Sequence, residues 1–364
     1  MLSIRIKAKS PLTGSDFRLV ELSDASLLKA LGNDDELVLK VAEEDDEVYL
    51  CTAEKTLRVR QVHTSNLKLL VDGTSGKVVE ITTSLLEAAR VPARLERLRE
   101  YLLSCPYEGV EDSPDPILLG RLRIDRIFGD IHASDGEIRT YLHDELSAVL
   151  INGHYRVIGA ECTLRFFRSL FAALVLQDWS SEDVLNRDSL IETLCASGRD
   201  ADEKESEFPA ELVGNFLYLY GEDTEWGWKM NKDKICRFYA RELLRARPVW
   251  RLSEFTSAWR RLANDLEPSI TLLNGIALVE STAGNDDQKI TSFFAEDLPL
   301  DPDSRFKRLF EVCPRWEMEK IEMYVEGLGK YLEVDTLDLI VKHCRISVDA
   351  NTGKRIVTTL CRFD

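Results

Sequence analysis

The sequence predicts a mixed α+β protein of several domains. An antiparallel, barrel-like β domain is expected over residues 1–90, a helix and linker over 91–114, and three winged-helix domains over 115–196, 208–282 and 300–364. Three observations carry this. Seven short strand-like segments crowd the first 83 residues, apolar residues fall at helical spacing from Pro92 onward, and one syntax then recurs three times: helix, helix, two short strands about a turn. The chain of 364 residues, 44% hydrophobic and 30% charged, is long enough to bury several cores.

The β segments come first. SIRIKA (3–8), FRLVEL (17–22), LVLKV (37–41), EVYLCT (47–52), TLRVRQV (56–62), LKLLV (67–71) and KVVEI (77–81) alternate or run apolar. Turn-forming stretches such as Gly32-Asn33-Asp34-Asp35 and Asp72-Gly73 separate them. So few residues cannot hide every strand edge, and a partner chain is one way to cover them. Leu95, Leu98 and Leu102 then mark a helix, and Pro106, Pro114 and Pro116 mark a linker. Further breaks fall at 197–209 and 281–303.

The first repeat opens on Ser134-Asp135-Gly136-Glu137, a capping box, and closes on AVLINGHYRVI (148–158), with Asn152-Gly153 as a tight hairpin turn. The second has FTSAWRRLANDL (255–266) as a helix and ITLLNGIALVE (270–280) as two strands about Asn274-Gly275. The third has helices in 316–328 and 335–347, then a hairpin about Asn351-Thr352-Gly353. Trp250, Trp259 and Trp316 frame or begin helices and read as core.

Composition and motifs narrow the function. The net charge of −17 argues against a protein held on nucleic acid by bulk charge, though a local basic face is compatible with it. The longest apolar run, near Leu170 to Leu176, is far short of the ~20 residues that span a bilayer. No membrane association is expected, and the protein reads as intracellular. Eight cysteines without a CxxC pair, and five scattered histidines, encode no metal site and read as buried free thiols. No phosphate-binding glycine loop, dinucleotide fingerprint or nucleophile elbow occurs. Neither a cofactor nor an enzyme activity is expected.

Charge is unevenly placed. Residues 229–261 carry ten basic and three acidic side chains, whereas 199–225 carry nine acids and two bases, so the acidic stretch could shield the basic one. Within the basic stretch Arg237, Arg241 and Arg245 recur every four residues along one helix face, as a candidate DNA-phosphate contact or an acidic-protein contact. The second basic cluster is C-terminal. Lys342, His343 and Arg345 close a helix, Lys354 and Arg355 stand at the following hairpin tip, and Arg362 lies near the terminus. Helix plus hairpin, both basic, would grip backbone phosphates.

Several segments resemble the Dcc-type sister chromatid cohesion protein family, whose members are subunits of an alternative replication factor C clamp loader. LCTAEKTLRVRQVHTSNLKLLV (50–71) resembles the family's N-terminal signature. WRLSEFTSAWRRL (250–262), LLNGIALVE (272–280), LFEVCPRWEMEKIEMYV (309–325) and LIVKHCR (339–345) agree in order along the rest of the chain. The resemblance implies an N-terminal β domain that assembles with the large and small cohesion subunits of the clamp loader. It implies winged helices that dock the leading-strand DNA polymerase catalytic subunit and contact single- and double-stranded DNA. It also implies a nuclear location and no catalysis by this chain. The residues alone leave open a winged-helix transcription regulator that binds duplex DNA.

Overall fold

The computed structural model describes residues 4–360 apart from 7–18, 22–24, 34–35, 42–46, 72, 75, 198–207, 265, 281–287, 333 and 351. The chain is mixed α+β and forms two compact units, 1–164 and 165–364.

In the first unit, β1 (Ile4–Ile6), β2 (Val20–Glu21), β3 (Leu37–Val41), β4 (Val48–Cys51), β5 (Thr56–Val71) and β6 (Val78–Arg90) make one curled sheet in the order β1-β3-β4-β5-β6-β2. Three expectations need correcting. TLRVRQV and LKLLV are one strand, because a register shift between His63 and Lys68 carries the ladder through the polar tract that reads as a turn. KVVEI opens a strand that continues to Arg90. Ala25–Gly32 is a helix, α1, whose Leu27 and Ala30 seal the sheet's core with Leu37, Leu50, Leu57 and Ala88. The expected strand at 3–8 is observed over Ile4–Ile6, and that at 17–22 over Val20–Glu21; their remaining residues include some outside the described set.

Helices α2 (Glu96–Ser104), α3 (Pro116–Arg121), α4 (Ile124–Asp130) and α5 (Asp135–Thr140) follow, then the hairpin β7 (Val149–Ile151) and β8 (His154–Arg156). Its turn is the Asn152-Gly153 pair, at φ 49° and 78°. The capping box forms as expected: Ser134 Oγ accepts from Glu137 N–H at 3.2 Å, and the Glu137 carboxylate accepts from Ser134 N–H at 3.2 Å. Two contacts then tie α5 to the sheet. Thr56 Oγ accepts from Ser134 N–H at 2.8 Å, and Gly136 N–H donates to Ala53 O at 2.8 Å, so close that a Cβ on Gly136 would sit 2.9 Å from that oxygen. Buried Lys40 donates to the carbonyls of Phe128, Ile131 and Ala133 at 2.8, 3.2 and 2.6 Å, tying β3 to the chain around the end of α4.

The second unit begins inside α6 (Ala160–Leu176). The chain then repeats one topology three times, the first two copies starting later than expected. The first copy is α6, β9 (Val184–Leu185), α7 (Arg187–Ser197), α8 (Ala210–Tyr220), β10 (Gly221–Thr224) and β11 (Gly227–Met230). The second is α9 (Lys232–Ala246), β12 (Val249–Arg251), α10 (Leu252–Leu262), a 3-10 turn at Ile270–Leu273, β13 (Ala277–Glu280) and β14 (Lys289–Ser292). The third is α11 (Pro302–Val312), β15 (Trp316–Glu317), α12 (Met318–Leu332), α13 (Thr336–His343), β16 (Cys344–Val348) and β17 (Arg355–Thr359). In each three-stranded sheet the last strand is central, between the short strand before the helices and its hairpin partner. The hairpin at 149–156, expected to close the first repeat, is instead a separate two-stranded sheet.

The second repeat also corrects a strand. Ile270–Leu273 is a 3-10 turn capped by Ser269, and Arg237 of α9 holds it by donating to Leu272 O at 2.6 Å and Asn274 O at 2.8 Å. The observed hairpin pairs β13 with β14 across residues 281–287. Each repeat buries one tryptophan whose indole N–H donates to a helix carbonyl: Trp228 to Leu217, Trp259 to Cys236 and Trp316 to Leu309.

Burial in these cores makes the fold alkali-sensitive. It pushes the Cys51 and Cys236 thiols up to about 11 and Cys344 up to about 12, from an ordinary 9.0. Unfolded thiols ionise near pH 9 while folded ones stay neutral, so stability present below pH 9 is lost as pH rises toward 11. Each thiol should cost about 1.4 kcal/mol per pH unit in that window. Lys40, whose pKa burial lowers, works in the opposite direction as a single group. Denaturant midpoints should hold from pH 7 to 8 and fall steeply above 9; a flat profile to pH 10.5 would contradict this burial.

Candidate functional site

The first candidate surface is the far end of the β5–β6 hairpin. Strand β4 pairs only with Thr56–Val59 of β5, and β2 only with Leu86–Glu87 of β6. Beyond those points the hairpin runs on as a two-stranded ribbon, and among the described residues nothing pairs with either outer edge. One face of the ribbon is apolar. Leu67, Leu69 and Val71 alternate along β5, Leu69 stands opposite Ile81, and Val71 stands opposite Val78. All five are 50–61% exposed. An isolated two-stranded ribbon is marginal in water, and free edges beside an apolar face are pairing surfaces.

The second is the C-terminal repeat. Asp335 caps α13 by accepting from Leu337 N–H at 2.7 Å, and the helix ends at His343. Lys342 is exposed and has no acidic partner among the described residues. His343 turns inward: its ring stacks on Phe306 at 5.1 Å and its Nδ1 lies 3.1 Å from Asp303. Arg345 is not helical, which corrects the expectation that it shares a helix face with Lys342. It lies on β16 opposite Thr358, while Arg355 on β17 stands opposite Val348. Strand alternation puts Arg355 on the face of buried Val357 and Arg345 on the other, so the two arginines flank the hairpin. Lys354 Nζ is held 3.1 Å from Glu317. The tip is fixed by Gly353 at φ 70° and by Asp349, whose carboxylate accepts from Thr352 N–H at 2.9 Å. Arg362 lies outside the described residues.

The middle basic face is engaged internally. Arg237 holds the 3-10 turn, and burial lowers its pKa. Arg241 and Arg245 both pair with Glu296, and Arg245 lies over the Phe294 ring at 5.6 Å. The exposed cations without acidic partners among the described residues are others: Lys234, Arg251, Arg260, Arg261 and Lys289. Arg251 and Lys289 are cross-strand neighbours from segments 38 positions apart, a pairing no local sequence signal marks. Arg237→Ala should therefore destabilise the fold by about 1–3 kcal/mol through orphaned carbonyls and leave DNA affinity unchanged. An unshifted melting temperature with weakened DNA binding would reverse that assignment.

No described helix is long and apolar enough to cross a membrane. The family model described as sister chromatid cohesion protein Dcc1 matches residues 17–325. The chain is 26% identical over 384 residues to the probable sister chromatid cohesion protein DCC1 of Dictyostelium discoideum, covering 97% of this chain and 96% of that protein. It is 25% identical over 364 residues to the sister chromatid cohesion protein DCC1 of Danio rerio, covering 93% of this chain and 88% of that one. The Homo sapiens protein of the same name is 25% identical over 341 residues, 88% of this chain and 83% of that one.

Proposed function

The chain belongs to the Dcc1 family of sister chromatid cohesion proteins, and from that premise we propose that it is a non-enzymatic adaptor of an alternative clamp loader, acting on chromatin in the nucleus. Its role is in sister chromatid cohesion. The N-terminal sheet joins the large and small cohesion subunits, and the three helical repeats, read as winged helices, link the loader to the leading-strand polymerase catalytic subunit and to DNA.

The observation that carries this reading is the ribbon beyond Val59 and Leu86, with two edges unpaired among the described residues and an apolar ladder of five residues. Such a surface is a template for β-augmentation: partner strands supply the missing ladder bonds, and apolar side chains supply the shared core. The DNA role draws on three exposed cations without acidic partners among the described residues, Lys342, Arg345 and Arg355, which stand on the hairpin and the helix before it.

Co-expression with both cohesion subunits, followed by size-exclusion chromatography with and without the polymerase catalytic subunit, tests the reading. One peak holding all three subunits, shifted by the polymerase, is expected. A chain that elutes alone in every mixture would overturn it.

A further inference from the structure

An open groove of about 720 Å³ lies between the end of α9, the segment after β14 and the outer face of α11. That volume falls within the roughly 300–1,000 Å³ of ordinary ligand sites. Leu244, Pro248, Phe293, Phe294 and Leu298 give it apolar lining, and Arg245, Lys307 and Arg308 bring cations to it.

The groove is preformed. Arg305, 3% exposed and without an acidic partner among its contacts, donates to Ala295 O at 2.8 Å, Leu298 O at 3.3 Å, Pro299 O at 3.1 Å and Tyr324 O at 2.6 Å. One buried guanidinium thus fixes the wall that carries Leu298 and Pro299 against α12. A site already in shape saves its occupant the cost of ordering it.

The charges select the occupant. Arg245 is held by Glu296, and Arg308 lies 3.3 Å from Glu311. Lys307 is exposed with no acidic partner among the described residues, so a neutral occupant leaves it uncompensated. Asp297 and Glu311 also line the groove and oppose a continuous phosphate chain. A peptide can turn a carboxylate toward Lys307 and an apolar side chain toward the floor. We propose that this groove binds an acidic linear peptide of a partner protein, seated by one aromatic or large aliphatic side chain, with a carboxylate against Lys307. This goes beyond the contacts assigned above to the cohesion subunits and to DNA, which use the β ribbon and the C-terminal hairpin.

Panning a displayed library of random twelve-residue peptides on the full-length chain tests it, with fluorescence anisotropy on a labelled synthetic copy of each enriched sequence. Enriched peptides should pair an aromatic or aliphatic residue with Asp or Glu. Lys307→Glu should weaken them at least tenfold, and Ser304→Trp, which fills the groove, by a similar factor. Neither substitution touches the ribbon or the hairpin, so partner assembly and DNA binding should stay at parental levels. Failure to enrich any peptide, or peptides that bind Lys307→Glu as tightly as the parent, would overturn the proposal. If Ser304→Trp does not fold, Lys307→Glu alone decides.

Discussion

Replacing Leu69 and Ile81 together by serine should abolish the proposed assembly with the cohesion subunits and should leave the isolated chain as stable as before. Both side chains are more than half exposed in this structure, 52% and 56%, so the monomer loses little when they go. They face each other across the ribbon, and a partner strand laid on that face would bury both. Fully burying a large aliphatic side chain stabilises by roughly 1.5–3 kcal/mol. The pair then accounts for about 3–6 kcal/mol, at least two orders of magnitude in affinity. Size-exclusion chromatography of the co-expressed proteins reads the loss, and thermal melting of the chain alone reads the control. Retained assembly would move the partner surface elsewhere on the sheet.

The second large effect is on DNA. Lys342→Ala, Arg345→Ala and Arg355→Ala combined should weaken binding to every duplex alike. The log–log salt slope should flatten by about 0.9 for every phosphate left without its cation. Lys354→Ala should do less, because Glu317 already holds that ammonium. The two arginines flank opposite faces of the hairpin, so both can meet phosphate only where the hairpin lies between two backbones, as in a duplex groove. Arg345→Ala and Arg355→Ala should therefore each weaken duplex binding, whereas a single strand should feel only one of them. Equal losses on both substrates would contradict seating of the hairpin between two backbones. Strong discrimination among duplex sequences would favour the transcription-regulator alternative.

Much of the fold is legible where a local rule decides the structure. The Ser134 to Glu137 capping box, the Asn152-Gly153 hairpin and the helix–helix–hairpin order after Trp316 all follow from short-range chemistry. Elsewhere a local signal does not act alone. Asn274-Gly275 has the dipeptide of a hairpin, but it follows a 3-10 turn that Arg237, on another helix, holds by donating to the neighbouring carbonyls. The polar tract after His63 reads as a turn, yet the ladder resumes beyond it at Lys68. The first repeat starts later than its apolar pattern suggests. Its hairpin, Gly-Glu-Asp-Thr-Glu-Trp-Gly-Trp, lacks the apolar alternation that marks a strand, and tertiary pairing with β9 makes it one.

The candidate site is legible in composition and not in geometry. The C-terminal cations stand out as a set in the sequence, but α13 stops at His343, so Arg345 passes from helix to strand and faces the other way. Counting cations along 229–261 cannot show that Arg237, Arg241 and Arg245 answer to carbonyls and Glu296. Those partners lie 35 to 55 residues away in sequence.

The claim that the ribbon is a partner-assembly surface is tested most directly by amide hydrogen exchange on residues 60–71 and 78–85. Outer-edge amides of the ribbon should exchange rapidly in the isolated chain and become protected in complex with the two cohesion subunits, while the β3–β4 ladder changes little. A complex that forms with exchange across the ribbon unchanged would contradict the account.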